Sequence, residues 1–182
     1  MRSIIRPPQK TKESAFRKQA LLSPQMSTLC KRISQKKRGT WQQALLRDGA
    51  FDPAKISCCS ILGVAYYLSR ASFEALLSVI GSLVPKGSAV IFDYPDENSY
   101  TEKAGERAKK QSMLASAAGE RMLASYSCRD MERLLTSHGF LLYEHLDPQE
   151  MTEQYFAAYN AANPAHPITA FDNVNACLAV KN

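Results

Sequence analysis

Apolar residues along this chain recur either at helical spacing or in short unbroken runs, and both patterns predict regular structure. Trp41, Ala44 and Leu45 fall on one stripe at helical spacing. Thr40 stands where such a helix would be capped, and Gly49 stands where it would close. The pattern therefore predicts a first helix between residues 40 and 49.

Two unbroken apolar runs predict strands. Residues 56–62 and 88–94 combine small and apolar residues without alternation, which is typical of strands buried on both faces of a parallel sheet. Between them, Ser69 or Ser72 is predicted to cap a helix that runs to about Leu83. Strand, helix and strand in this order predict a right-handed crossover unit of an α/β sheet.

The rest of the chain adds two helices and two strands to this prediction. A polar helix is predicted over residues 98–118, and Ser127 is predicted to cap a second one. Strands are predicted over residues 140–146 and 174–180. Two strands that meet this late in a chain, one of them terminal, favour an antiparallel edge on an otherwise parallel sheet.

The charge distribution separates a basic arm from the patterned part of the chain. Residues 1–40 carry eleven Lys and Arg residues against one acid, Glu13. We therefore divide the chain into an arm over residues 1–39, with a predicted helix at residues 9–22, and a domain over residues 40–182. Such an arm can bind nucleic acid or an acidic membrane surface, or it can be an organelle-targeting presequence; a solvated, poorly ordered tail is the interpretation that we favour. Its only aromatic residue is Phe16, so it offers no stacking platform for single strands.

Hydropathy and cysteine spacing limit the class of protein. No apolar stretch approaches the roughly 20 residues that cross a bilayer, so no membrane partner is predicted. No apolar segment follows the first arginines, as a secretory signal requires, and a cytoplasmic protein is predicted. The five cysteines are odd in number and show no CxxC spacing, so neither a disulfide framework nor a metal site is predicted.

Several short segments within residues 40–182 match one family in their order and spacing. They read Trp-Gln-Gln-Ala-Leu at 41–45, Gly-Ala-Phe-Asp-Pro at 49–53, Ser-Ile-Leu-Gly-Val-Ala-Tyr-Tyr-Leu at 60–68 and Val-Ile-Phe-Asp-Tyr at 90–94. In these segments the chain resembles the C-terminal portion of the leucine carboxyl methyltransferase-like family of class I S-adenosylmethionine-dependent methyltransferases. The resemblance implies an incomplete Rossmann-like sheet of parallel strands with an antiparallel C-terminal edge.

The same resemblance implies an activity and a set of site residues. The family transfers a methyl group from S-adenosylmethionine to an oxygen, and the implied acceptor is a carboxylate on a small molecule or a peptide. The implied residues are Ser60, Leu62 and Gly63 for cofactor binding, Tyr67 as the catalytic residue beside the acceptor, and Asp93 and Tyr94 for substrate binding.

The sequence departs from the family pattern where the cofactor would be held. None of the eight glycines forms a Gly-rich turn, no acid stands between Glu13 and Asp48, and the strand-end glutamate of the family is Leu62 here. We therefore expect a truncated methyltransferase chain with impaired cofactor binding. The first alternative is a non-catalytic remnant or binding module that self-associates through an exposed sheet edge. A nucleic-acid-associated protein that uses the basic arm ranks last.

Overall fold

The computed structural model describes residues 41–47, 49, 51–119, 122 and 124–182. The chain divides into two units, residues 1–52 and residues 53–182. In the first unit, helix α1 spans Trp41–Arg47, which confirms the helix predicted there. The predicted basic arm and its helix at residues 9–22 lie outside the described residues.

The second unit contains a four-stranded sheet in the order β1-β2-β4-β3. Its strands are β1 (Cys58–Ile61), β2 (Ala89–Pro95), β3 (Phe140–Leu146) and β4 (Val174–Lys181). β1 and β2 run parallel, whereas β4 is antiparallel to both β2 and β3. The predicted α/β class, a partial Rossmann-like sheet with an antiparallel C-terminal part, is confirmed. Within that part, the last strand β4 lies inside the sheet and β3 forms the edge.

Helices connect these strands. They are a 3-10 turn at Ala65–Tyr67, α2 (Arg70–Leu83), α3 (Glu106–Ala117), α4 (Cys128–Ser137), α5 (Pro148–Met151), a π-helical segment at Thr152–Phe156 and α6 (Ala157–Ala162). None of the helices in the described part of the chain is both long and apolar enough to cross a bilayer.

Helix α2 links the two parallel strands and packs on one face of the sheet. The hydroxyl of Ser69 accepts a hydrogen bond from the amide of Ser72 at 3.2 Å, which caps the helix as predicted. Phe73, Leu77 and Ile80 follow at helical spacing and are all buried. This apolar stripe fixes the face that α2 turns to the sheet.

One face of the sheet holds the core. Along β2, Val90, Phe92 and Tyr94 alternate with more exposed residues and are fully buried. The ring of Phe73 meets the ring of Phe92 edge-on, with 5.4 Å between centroids. Helix α4 adds its own buried stripe, which contains Met131, Leu134 and Leu135.

The opposite face of the sheet is open over much of its area. Ile91 of β2 is 38% exposed and Leu141 of β3 is 50% exposed. Cys58 and Ser60 of β1 are also exposed. The prediction that residues 56–62 form a strand buried on both faces is therefore wrong. β1 is an edge strand among the described strands, and its apolar composition does not predict how far it is buried.

The predicted polar helix over residues 98–118 begins later than expected, at Glu106. The preceding residues form turns around Asp96, whose Oδ1 accepts hydrogen bonds from the amide of Asn98 and the hydroxyl of Ser99. The amide side chain of Asn173 donates to the same carboxylate. The local bonds from Asn98 and Ser99 form a turn at Asp96, and the long-range bond from Asn173 joins it to the segment before β4, which local helix propensity does not reveal.

Candidate functional site

The parallel strands β1 and β2 end side by side, and a turn at Leu62 and Gly63 follows β1. Ile61 and Phe92 are paired in register, so the turn and Asp93 meet at the carboxyl edge of the sheet. Gly63 has φ +68°, a conformation that side chains other than glycine rarely adopt. Apart from its two chain neighbours, no atom of the described residues lies within 4 Å of the position that a Cβ would take. The turn therefore presents open backbone at the sheet edge where α/β proteins bind ligands.

Asp93 accepts hydrogen bonds from this turn and from the tyrosine that follows it. The amide of Gly63 donates to Asp93 Oδ1 at 2.6 Å, and the hydroxyl of Tyr66 donates to Oδ2 at 3.0 Å. Both carboxylate oxygens are thus engaged by the segment that follows β1. Asp93 was predicted to bind substrate, and the structure gives it a role in positioning the turn and the tyrosine.

Tyr66 and Tyr67 point in different directions from the short 3-10 turn. Tyr66 is 5% exposed, and its burial, followed by the negative charge of Asp93, raises the pKa of its hydroxyl above its usual value. Tyr67 is 37% exposed and its ring centroid lies 6.3 Å from that of Tyr66. The predicted catalytic residue, Tyr67, therefore has a side chain that a ligand at the edge can reach.

The other predicted cofactor contacts lie at the same end of β1. Leu62 is 63% exposed, so its side chain offers apolar surface beside the open Gly63 turn. Ser60 is exposed on the open face of the sheet, opposite Ile91 in register. These positions are compatible with ligand contact, and their roles stay predictions.

Tyr94 is not brought to this site. Its side chain is fully buried, and its hydroxyl shares a hydrogen bond with Nε2 of His145 at 2.8 Å. Burial also raises the pKa of Tyr94. Strand alternation places Asp93 and Tyr94 on opposite faces of the sheet, so only Asp93 reaches the edge cluster. Nothing in this geometry supports the predicted substrate-binding role of Tyr94.

A small, partly open pocket lies next to Tyr66, between the end of β2, helix α3 and the segment before β4. Tyr100, Gln111, Met122 and Asn173 contribute to its lining. No lysine, arginine or histidine belongs to the lining described here. Burial and the nearby Tyr67 raise the pKa of Tyr100 to about 12, so its hydroxyl remains a hydrogen-bond donor at neutral pH.

Arg107 lies at the start of α3 and hydrogen-bonds the segment before β4 to this helix. Its guanidinium donates to Asp172 Oδ1 at 2.6 Å and also to the carbonyl oxygens of Thr169 and Ala170. Hydrogen bonding to Arg107 lowers the pKa of Asp172. Arg107 is therefore engaged within the protein, and it is not a cation held ready for a ligand.

Sequence reasoning missed Tyr66. Its partner Asp93 lies 27 residues away, and no local pattern joins the two. The adjacent residues Tyr66 and Tyr67 carry the same side chain, so sequence alone does not tell which is buried. The charge on Asp93 could have pointed to a buried hydroxyl donor, because strand-end carboxylates require hydrogen-bond partners. Within the described residues, no group of three or more His, Cys, Asp or Glu side chains is arranged to hold a metal ion.

Comparison with known proteins gives one similar sequence and several similar folds. No family model matches the chain. The "Putative S-adenosyl-L-methionine-dependent methyltransferase YktD" of Bacillus subtilis (strain 168) is 37% identical over 123 residues. That match covers 67% of this chain and 39% of YktD.

Among solved structures, a DUF574 family protein from Streptomyces avermitilis has a TM-score of 0.55 at 11% identity. The match covers 78% of this chain and 52% of that one. An O-methyltransferase family 2 protein from Planctomyces limnophilus, in complex with apigenin, has a TM-score of 0.44 at 14% identity. It covers 72% of this chain and 33% of that one. The chain thus shares the fold of the DUF574 family protein and spans about two fifths of the length of YktD, to which it is similar in sequence.

Proposed function

We propose that this chain provides the acceptor side and one wall of the cofactor site in an S-adenosylmethionine-dependent O-methyltransferase. The observation that carries the proposal is the open Gly63 turn, which Asp93 holds at the carboxyl edge of two parallel strands. The 37% identity to YktD over two thirds of the chain supports the same activity. The leucine carboxyl methyltransferase-like subfamily is the finer assignment that we propose within it.

The residues at this edge fit one side of S-adenosylmethionine. Leu62 offers an exposed apolar surface, and Gly63 lets a ligand approach the backbone closely. The bound cofactor would supply a methyl group on a positively charged sulfur. The chain's own residues would orient it and exclude water, because methyl transfer depends on alignment and a dry contact more than on proton movement.

The acceptor is proposed to be a carboxylate, and its contacts would come from tyrosine hydroxyls. Tyr67 is exposed at the edge, and the raised pKa of Tyr100 keeps its hydroxyl protonated. Two neutral donors can orient a carboxylate oxygen without the strong ion pair that would hold its lone pairs away from the methyl group.

We propose weak cofactor binding by the 182-residue chain alone. The sequence has no Gly-rich turn and no acid between Glu13 and Asp48, and Asp93 already accepts two hydrogen bonds from within the protein. The polar contacts that usually hold the ribose and the adenine are therefore missing. Calorimetric titration is expected to show a dissociation constant weaker than about 100 μM. Micromolar binding would contradict this, and a folded chain with no binding would favour the non-catalytic remnant.

Substitution of Tyr67 tests the acceptor side. Transfer of labelled methyl from S-adenosylmethionine to a panel of carboxylic acids is expected, with a base-labile ester as product. Tyr67→Phe removes one donor and should lower kcat by about tenfold or more. Tyr143→Phe is the matched control, since Tyr143 is 75% exposed and lies within β3, at the end of the strand order opposite to β1. Equal rates in both variants would remove Tyr67 from the mechanism, and transfer only to alcohols or phenols would overturn the carboxylate assignment.

A further inference from the structure

Six polar side chains of the described residues line the small pocket next to Tyr66. Four of them form hydrogen bonds within the protein, and these are Tyr66, Ser99, Asp172 and Asn173. Their bonds hold the walls of the pocket together. The other two are Tyr100 and Gln111, and neither side chain forms a hydrogen bond within the part of the chain that the structure describes. These two side chains are therefore the ones that can turn to a ligand.

Gln111 lies on the packed face of helix α3. It follows Ala108 by three residues and precedes Ala115 by four, and both alanines are 8% exposed. Residues at these spacings share one face of a helix. Gln111 itself is half-buried and lines the pocket. A carboxamide in such a position is normally hydrogen-bonded, so a ligand group is the partner that it lacks.

The chemistry of the lining identifies the kind of group that fits beside Gln111. Asp172 is the one charged residue of the described lining, and both of its carboxylate oxygens accept hydrogen bonds from Arg107. Since a charged ligand group would meet no unpaired opposite charge among these residues, an uncharged group is favoured. The carboxamide of Gln111 both donates and accepts. A hydroxyl also does both, and it is small enough for a small pocket.

We propose that the methyl acceptor is a 2-hydroxy carboxylic acid and that Gln111 is the residue that selects it. The carboxylate lies at Tyr67 and Tyr100, and the 2-hydroxyl enters the pocket and hydrogen-bonds the carboxamide of Gln111. Because Tyr100 and Gln111 line the same small pocket, the groups that they bind are carried by neighbouring atoms of the acceptor. This assignment rests on the proposed function, which supplies the carboxylate as the methyl acceptor.

The selection comes from the cost of leaving Gln111 without a partner. An acid without the hydroxyl removes water from the half-buried carboxamide and gives it no hydrogen bond in return. A hydroxy acid replaces that water with its own donor and acceptor. We therefore expect a hydroxy acid to bind about tenfold more tightly than the same acid without its hydroxyl.

NMR titration of the full, isotope-labelled chain with 2-hydroxyhexanoate and with hexanoate tests this assignment. 2-Hydroxyhexanoate is expected to bind about tenfold more tightly and to shift the side-chain amide signals of Gln111. Equal affinity, or no binding of either acid, overturns the proposal. A third acid, 2-aminohexanoate, carries an ammonium group in place of the hydroxyl and should bind no more tightly than hexanoate. Tighter binding of the amino acid would mean that the pocket selects a cation, which also overturns the proposal.

Substitution of Gln111 tests whether this residue makes the selection. Gln111→Met keeps a long, unbranched side chain and removes its donors and its acceptor. The preference for the hydroxy acid should fall from about tenfold to about one, while the affinity for hexanoate stays the same or rises. Gln154→Met is the matched control, because Gln154 is exposed and lies outside the described lining of the pocket. A preference that survives in Gln111→Met, or one that is lost in both variants, contradicts the assignment.

Methyl transfer is measured separately, with excess S-adenosylmethionine, so that the two proposals can fail independently. The wild type should esterify 2-hydroxyhexanoate faster than hexanoate, and Gln111→Met should remove the difference. Equal transfer to both acids by the wild type overturns selection by Gln111 and leaves the methyltransferase activity standing. Binding with the expected preference but without any ester contradicts the proposed function and leaves the hydroxy-acid site standing.

Discussion

Asp93 is the residue on which the geometry of the sheet edge depends. One oxygen of its carboxylate holds the backbone of Gly63, and the other holds the hydroxyl of Tyr66. The turn after β1 is thereby fixed to β2 at a point where no strand pairing continues. Leu62 and Tyr67 adjoin Gly63 and Tyr66 in the sequence, so these two hydrogen bonds also fix their positions.

Two buried tyrosines allow the contribution of one hydrogen bond to be measured. Tyr66→Phe removes the donor to Asp93 and should lower the free energy of unfolding by about 1 kcal/mol. Tyr126→Phe removes the same atom from a hydroxyl that has no hydrogen-bond partner among the described residues, so stability should stay unchanged or rise slightly. Urea denaturation of both variants checks the difference. Equal losses of stability would mean that the bond between Tyr66 and Asp93 adds nothing.

The sequence could place part of this site and not all of it. Gly63, Tyr67 and Asp93 were implied by the family resemblance, and the structure places them at one edge of the sheet. Tyr94 was grouped with Asp93 because the two are adjacent, yet alternation along β2 buries it against the helices. The direction in which each of two adjacent tyrosines points depends on the 3-10 turn, whose geometry no periodicity in the sequence predicts.

At the scale of elements, helix α3 is defined by contacts made far along the chain. Gly105 precedes the helix, and its amide donates to Oδ1 of Asn173 at 2.7 Å. The side chain of Asp172 lies so close that a Cβ on Gly105 would be 2.5 Å from its Oδ2. Glycine is required here by close approach of another segment, and the start of α3 is fixed by that approach.

Substitution of Gly105 should therefore be costly in a way that depends on Asp172. Gly105→Ala forces the Asp172 side chain away from Arg107 and should destabilise the protein by about 1 to 3 kcal/mol. In an Asp172→Gly background the clashing atoms, including the Asp172 Cβ that lies 2.6 Å from the new Cβ, are absent, and the cost of the substitution should fall. A double-mutant cycle from urea denaturation measures the coupling. Additive costs would show that the close contact is not the cause.

The positions of the strands along the chain were predicted more reliably than the limits of the helices. Apolar runs indicated β1, β2, β3 and β4. The onset of α3 at Glu106 escaped prediction, since hydrogen bonds from residues around Asn173 determine it. The exposure of β1 was also not predicted. An edge strand without protective charges has the same apolar composition as a strand buried on both faces, so composition does not distinguish them.

At the scale of the whole molecule, helices cover one face of the sheet, and burial changes the pKa values of four tyrosine hydroxyls. Burial raises the pKa of Tyr66, Tyr94, Tyr100 and Tyr126. The folded state therefore holds these protons more tightly than the unfolded state does. Proton binding and folding are linked for this group of residues.

The stability of the protein should fall at alkaline pH. Below about pH 10, the usual tyrosine value, both states are protonated and the contribution is complete. As the pH rises from there toward the folded value, which is about 12 for Tyr100, the unfolded state ionises first and stability is lost. Urea midpoints measured from pH 8 to 11 should decrease from about pH 9, because burial also raises the pKa values of the Cys59, Cys128 and Cys177 thiols, and should fall more steeply above about pH 10, where the tyrosines add their contribution. A flat profile would mean that the tyrosines are equally protonated in both states.

The position of β4 has a consequence for how the protein is made. β4 is the last strand in the sequence, yet it lies between β2 and β3 and pairs with both. While the ribosome still holds residues 174–181, β3 has no strand beside it, and only the β1–β2 pair with its crossover helix can assemble. β3 can therefore join the described sheet only after β4 has been synthesised, and a pause in translation between these two strands prolongs the life of a chain with an unpaired β3.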